Sequence, residues 1–232
     1  MFRYSLFIAF FMLYGCVSPH SAGASQYVID GEIDTNVVNG VYGALGAQPG
    51  TLIVTSEGGR ASAALALSYS VNLYGHEIVI KDYCLSSCAE FLLMSSPSIS
   101  AVDLPVVGFH GSPGLDLIVA KSIFPSGNLS CIETLVAKQR EVVNSGIEID
   151  QIWIDQRDKL KPSHPKMGSV TQGDNYSCAH VRYELEKDFW FPSSEYFESV
   201  GIVIKGALCA DVPGCLERKV PALLGATTTY TK

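Results

Sequence analysis

Basic residues are scarce in this chain of 232: its 16 lysines and arginines are outnumbered by 23 acids, leaving a formal charge of −7. A nucleic-acid surface needs a basic stripe, so that class of partner is excluded. Apolar runs long enough for a membrane are also missing. The stretch Leu6 to Leu13, behind Arg3, falls short of the ~20 residues that a span takes. It has the charge and length of an export signal instead. No repeat or low-complexity tract breaks the chain, and nothing in its composition marks a second compact unit, so one large domain is expected. The cysteines lack a second cysteine or histidine pair at the usual zinc spacing, which argues against a metal site.

Two signal ends fit what is present. Leu13-Tyr14-Gly15-Cys16 resembles a bacterial lipobox, which would make Cys16 the lipidated first residue of a membrane-anchored protein. Ala22-Gly23-Ala24 is a small-residue cleavage site that would release a soluble protein beginning at Ser25. The expected division is residues 1–24 as signal, 25–208 as the main domain, and 209–232 as an extension with a frayed tail. Setting Cys16 aside leaves Cys84, Cys88, Cys131, Cys178, Cys209 and Cys215. That even number in an exported chain points to disulfides, although their pairing does not follow from sequence. Cys209 with Cys215 is the easiest closure, and a Cys84–Cys88 bridge would have the larger consequence for a functional turn.

Apolar runs and helix formers alternate along the main domain. Strands are expected near Tyr27–Ile33, Thr51–Ser56, Glu77–Lys81 and Val106–His110, with helices near Thr35–Leu45, Arg60–Leu73 and Ser86–Ser95. Strand then helix, repeated, argues an α/β fold with a mainly parallel sheet flanked by helices. Right-handed crossovers would then bring the turns after successive strands side by side. The charged stretch Leu129–Leu160 reads as two solvated helices, and the prolines and glycine of residues 162–168 as a loop.

Chemistry collects at the predicted strand ends. Leu52-Ile53-Val54-Thr55-Ser56 runs into Glu57-Gly58-Gly59; Tyr83-Cys84-Leu85-Ser86-Ser87-Cys88 turns from strand into an apolar helix; Val106-Val107-Gly108-Phe109 ends in His110. A hydroxyl at a helix start, a base and glycine N–H groups are the components of acyl transfer. Ser87 is the candidate nucleophile, His110 the base, and the N–H groups of Cys88 and of Gly58 or Gly59 the oxyanion donors. A plain helix N-cap is the other role open to the serine pair.

This order of elements, from Tyr27-Val28-Ile29-Asp30-Gly31 through Gly58-Gly59 to Phe189-Trp190-Phe191-Pro192-Ser193-Ser194, resembles the proteolytic subunit of the Clp protease and the wider Clp/crotonase superfamily. Cys84, Glu90 and the paired cysteines around the serine bring it closer to a periplasmic branch than to the cytosolic protease. The resemblance implies a Clp/crotonase-like fold, a serine peptidase or hydrolase acting on a peptide or small acyl substrate, and homo-oligomers. It assigns Ser87 as nucleophile, His110 as base and Asp188 as the carboxylate that orients the imidazole, with Glu186 as the other choice. No metal or cofactor is implied, and no ATP-driven partner is expected in a periplasm without ATP. Three other readings stay open: a catalytically inactive envelope protein that binds a peptide or other ligand, an acyl-thioester enzyme of the crotonase kind, and a serine–lysine dyad using Lys81 or Lys121.

Overall fold

Alternating burial shapes the centre of the molecule. In the computed structural model, which describes residues 25–123, 129–143, 147–159, 166–167, 181–182, 188–225 and 229–231, Leu52, Val54 and Ser56 turn inward and their neighbours do not. That period of two is the pleat of a strand. The opening elements are β1 (Gln26–Asp30), α1 (Thr35–Leu45), β2 (Thr51–Ser56), α2 (Ala61–Tyr74) and β3 (Glu77–Leu85). Asp34 starts α1 by accepting from the N–H groups of Asn36 and Val37 at 2.8 and 3.0 Å, the usual work of an N-cap carboxylate. In α2 the small residues Ala63, Ala64 and Ser68 are buried, which lets the helix lie close to its neighbours. Gly75 stops it with φ of 68°, a conformation that glycine adopts at little cost.

After β3 a π-helical segment covers Cys88–Leu93, followed by β4 (Ile99–Ala101), β5 (Val106–Gly108) and α3 (Pro113–Ile123). Helices α4 (Ser130–Val142) and α5 (Ile149–Lys159) come next. The short strands β6 (Lys166–Met167), β7 (Val181–Arg182) and β8 (Asp188–Trp190) precede α6 (Ser194–Ser199) and β9 (Ile204–Lys205). A 3₁₀ turn (Cys209–Asp211), α7 (Cys215–Leu224) and β10 (Thr229–Thr231) finish the chain. The main sheet runs β1-β2-β3-β4-β9, with β5 added to β3. Each of its pairings is parallel, so helices cover it as crossover connections require.

The long β3 decides where the site stands. Its first half, Ile78–Ile80, pairs with β4 and its second half, Tyr83–Leu85, with β5. Against β2 the register shifts between Val54, opposite Ile80, and Ser56, opposite Cys84. Such an irregularity bends a strand and re-aims its end. The strand therefore outlasts the expected limit at Lys81 by four residues. Lys81 and Asp82 are exposed at the shift, and their polarity masks the continuing strand in the sequence.

Two other expectations change. Lys166–Met167, read as loop, pairs antiparallel with Val181–Arg182. The tail expected to fray adds β10 to β8 in parallel, Thr229 to Thr231 opposite Asp188 to Trp190. Threonine and tyrosine suit a strand, and the edge of β8 supplies unpaired backbone groups for them to meet.

The core has a large cluster between the sheet and helices α1 to α5, and a smaller one of Leu85, Val106, Phe189, Phe191, Cys209, Cys215, Leu216 and Val220. The Cys209–Cys215 disulfide is formed, with Cα atoms 5.3 Å apart, so the stapled C-terminal segment packs beneath the ends of β3 and β5. Cys84 is bridged to Cys88, and Cys131 is also disulfide-bonded. Cross-links of this kind persist in oxidising compartments. The expected signal, with Cys16 and Ala22-Gly23-Ala24, lies outside the described residues, as does Cys178. No described helix is long and apolar enough to cross a membrane.

Candidate active site

Strand β3 ends in a reversal centred on Ser86. Its φ is 55°, in the left-handed region that costs a non-glycine residue roughly 1–2 kcal/mol. The Ser86 N–H continues the β5 ladder by donating to the Gly108 carbonyl at 2.9 Å, while its own carbonyl accepts from the Glu90 N–H at 2.9 Å. One residue thus closes a strand and opens a helix, the strand–turn–helix geometry that exposes a hydroxyl at a nucleophile elbow. The Cys84–Cys88 disulfide spans this turn with Ser86 at its midpoint.

The hydroxyl that meets the histidine is Ser86 Oγ, 2.6 Å from His110 Nε2. The sequence reading expected this contact at Ser87, one position later. Ser87 is 5% exposed, and its Oγ donates to the Gly59 carbonyl at 3.2 Å instead. The physical reason is the left-handed backbone at Ser86: it turns the Ser86 side chain out of the strand and sends the next one inward. For Ser86 to donate, His110 carries its proton on Nδ1 and offers the Nε2 lone pair.

Burial holds the His110 pKa below the ordinary histidine value, against a smaller opposing effect of its own backbone. The imidazole is therefore neutral at pH 7, the form that can accept a proton. Its ring lies 5.1 Å from that of Phe189. The adjacent Phe109 exchanges two backbone hydrogen bonds with Trp190, at 2.9 and 2.8 Å, which fixes the end of β5 next to β8. Asp188 begins β8, one residue before Phe189; its side chain, with Glu184 and Glu186, lies outside the described residues. Among the described residues His110 has no carboxylate partner. Neither lysine of the alternative dyad meets Ser86: Lys81 is exposed, and Lys121 pairs with Glu133 at 3.2 Å.

Gly58 and Gly59 sit against the same turn, with φ of 101° and 147°. A Cβ at Gly58 would stand 2.8 Å from the Leu85 carbonyl and from Ser86 Cβ, and 3.0 Å from the Ser87 nitrogen. Any side chain there would push the two turns apart. The Gly58 N–H is occupied, donating to the buried Ser56 hydroxyl at 3.0 Å, so it is not the donor that the sequence reading allowed. The Gly58 carbonyl accepts from Ile33 at 2.7 Å. In a trans peptide this turns the Gly59 N–H the opposite way. Among the described residues neither the Gly59 nor the Ser87 N–H has a hydrogen-bond partner. With a nucleophile at Ser87 the following donor would be Cys88, and with one at Ser86 it would be Ser87.

Sequence reasoning missed Ser86, although it occupies the centre of the Cys84–Cys88 bracket. Glu90 enters the sequence reading only as a departure from the cytosolic protease and is given no role there. It is 4% exposed on the helical segment behind the elbow, and Gln139 Nε2 donates to its backbone carbonyl at 3.0 Å. Burial first, and Asp116 second, push its pKa well above the usual carboxylate range. A cavity of about 400 Å³ between α5 and the β8–α6 turn, walled by Trp190, Phe191 and Tyr196, includes neither Ser86 nor His110. Among the described residues no group of three or more histidines, cysteines and acids stands together to hold a metal ion.

No protein-family model and no curated protein matches the chain. Among solved structures, a mutant of ClpP1 from Listeria monocytogenes is similar at 18% identity, covering 50% of this chain and 71% of that one, with a TM-score of 0.35. At that overlap the chemistry of the site rests on its own geometry.

Proposed function

We propose that the chain is an exported serine hydrolase of Clp/crotonase-like fold, acting on peptide or small acyl substrates. The observation that carries this reading is the 2.6 Å contact between His110 Nε2 and the hydroxyl of a serine held left-handed at a strand end. Ser86 Oγ attacks the substrate carbonyl while His110 Nε2 takes its proton. The N–H groups of Gly59 and Ser87 receive the negative charge that develops on the carbonyl oxygen. His110 then returns the proton to the leaving group, and a water deprotonated by the same nitrogen releases the acyl group from Ser86. Asp188 enters this reading as the orienting carboxylate, because its backbone adjoins Phe189, the ring packed on His110.

The Cys84–Cys88 and Cys209–Cys215 disulfides and the apolar N-terminal stretch support a periplasmic address, reached with Cys16 as a lipid anchor or after cleavage before Ser25. The test is a fluorophosphonate probe followed by peptide mapping. Label is expected on Ser86 of the wild-type chain and none on Ser86→Ala. Label retained by Ser86→Ala would overturn the assignment, and an unlabelled wild-type protein would favour a ligand-binding role for the same fold.

A further inference from the structure

The mechanism uses the Ser87 backbone and leaves its hydroxyl unexplained. That hydroxyl is buried and committed: it donates to the Gly59 carbonyl at 3.2 Å. Among the described residues it makes the one side-chain hydrogen bond between the glycine turn and the elbow. The Gly59 carbonyl has no other partner there, because the bridge between Ile33 and Gly59 uses the Gly58 carbonyl and the Arg60 N–H. That bridge holds both peptides flanking Gly59 on the side of Ile33, and the Ser87 hydroxyl is what ties them by a side chain to the elbow.

On the hydrolase reading above, we infer that Ser87 is the positioning residue of the oxyanion hole. Its Oγ ties the Gly59–Arg60 peptide, which Ile33 already holds through the Arg60 N–H, to the elbow, so that the Gly59 N–H faces the same point as the N–H of Ser87. One residue then supplies one donor and orients the other. Fixed donors stabilise a developing charge because they need no reorganisation during the reaction. The chemistry that the hydroxyl serves is therefore the tetrahedral state and not the bound substrate.

Ser87→Ala keeps the backbone donor and removes only the clamp. Deleting an oxyanion donor outright costs about 10²–10³ in kcat, so loosening one should cost roughly tenfold. The expected result, with p-nitrophenyl butyrate as substrate, is a kcat lower by about that factor with KM within about twofold. Affinity for a boronic acid, which mimics the tetrahedral state, should fall in parallel. Labelling of Ser86 by the fluorophosphonate should persist at a reduced rate, the pH midpoint set by His110 should not move, and Ser87→Thr should restore most of kcat.

A purely structural hydroxyl would lower the melting temperature and leave the kcat and boronate values of the folded protein unchanged, which would overturn the inference. So would wild-type kinetics in Ser87→Ala. Failure of the hydrolase reading looks different: label would survive Ser86→Ala, or the wild-type chain would take none. Label lost in Ser87→Ala and kept in Ser86→Ala would overturn both.

Discussion

Replacing Cys84 and Cys88 together by alanine separates the stability of this protein from the geometry of its elbow. The bridge joins positions four apart, for which the chain-entropy relation gives about 1.9 kcal/mol at 25 °C. The Cys209–Cys215 bridge joins positions six apart and is worth about 2.2 kcal/mol by the same relation. All four cysteines are buried, so the two double variants should unfold at nearly the same denaturant concentration. Their activities should not match. Only the first bridge encloses Ser86, whose left-handed backbone costs roughly 1–2 kcal/mol, an amount the bridge can hold in place and a free turn can relax. Relaxation by 1–2 kcal/mol corresponds to a factor of roughly 5–30. The Cys84→Ala/Cys88→Ala protein should lose activity and probe-labelling rate by about that factor while circular dichroism reports a folded chain. The Cys209→Ala/Cys215→Ala protein should stay within about threefold of wild type. Equal activities in the two folded variants would refute the idea that the bridge governs the elbow.

Because burial lowers the His110 pKa, kcat/KM should rise with pH through a midpoint below 6.5 and be level by neutral pH; a midpoint above 6.5 would contradict the packing described. The same depression makes stability fall as pH drops below 6.5, since the unfolded chain binds the proton more readily. Glu90 acts in the opposite sense: its pKa is raised, so its contribution is complete below the unfolded value near 4.5 and is lost as pH rises through the folded value. The slope is at most about 1.4 kcal/mol per pH unit, and Glu90→Gln should remove it in urea titrations run across pH; parallel wild-type and variant curves would count against a buried, protonated Glu90. For export, Cys16→Ser should abolish fatty-acid incorporation and membrane association, whereas a wild-type mature N-terminus at Ser25 would exclude the lipid anchor.

The short-range features of this protein were written in its sequence. A short apolar run ending in two glycines marked Thr51–Ser56, helix-forming sequence marked Thr35–Leu45, and two cysteine pairs lay close enough along the chain to bridge. Strand–helix alternation gave the parallel sheet and the meeting of Gly58-Gly59 with the Ser86-Ser87 turn, because crossover handedness leaves few other arrangements. The choice between adjacent serines was not local. It depends on one dihedral, the φ of 55° at Ser86, and that value depends on the Gly108 carbonyl, supplied by a strand more than twenty residues away. The strand end itself was hidden because Lys81 and Asp82 look like a terminus until β5 is present to pair with Tyr83–Leu85. The tail tells the same story: Thr229–Thr231 has little to bury alone and becomes a strand only beside β8. Local propensity and periodicity act within a few residues, whereas the hydroxyl that meets His110 is selected by backbone hydrogen bonds between segments that only the folded chain brings together.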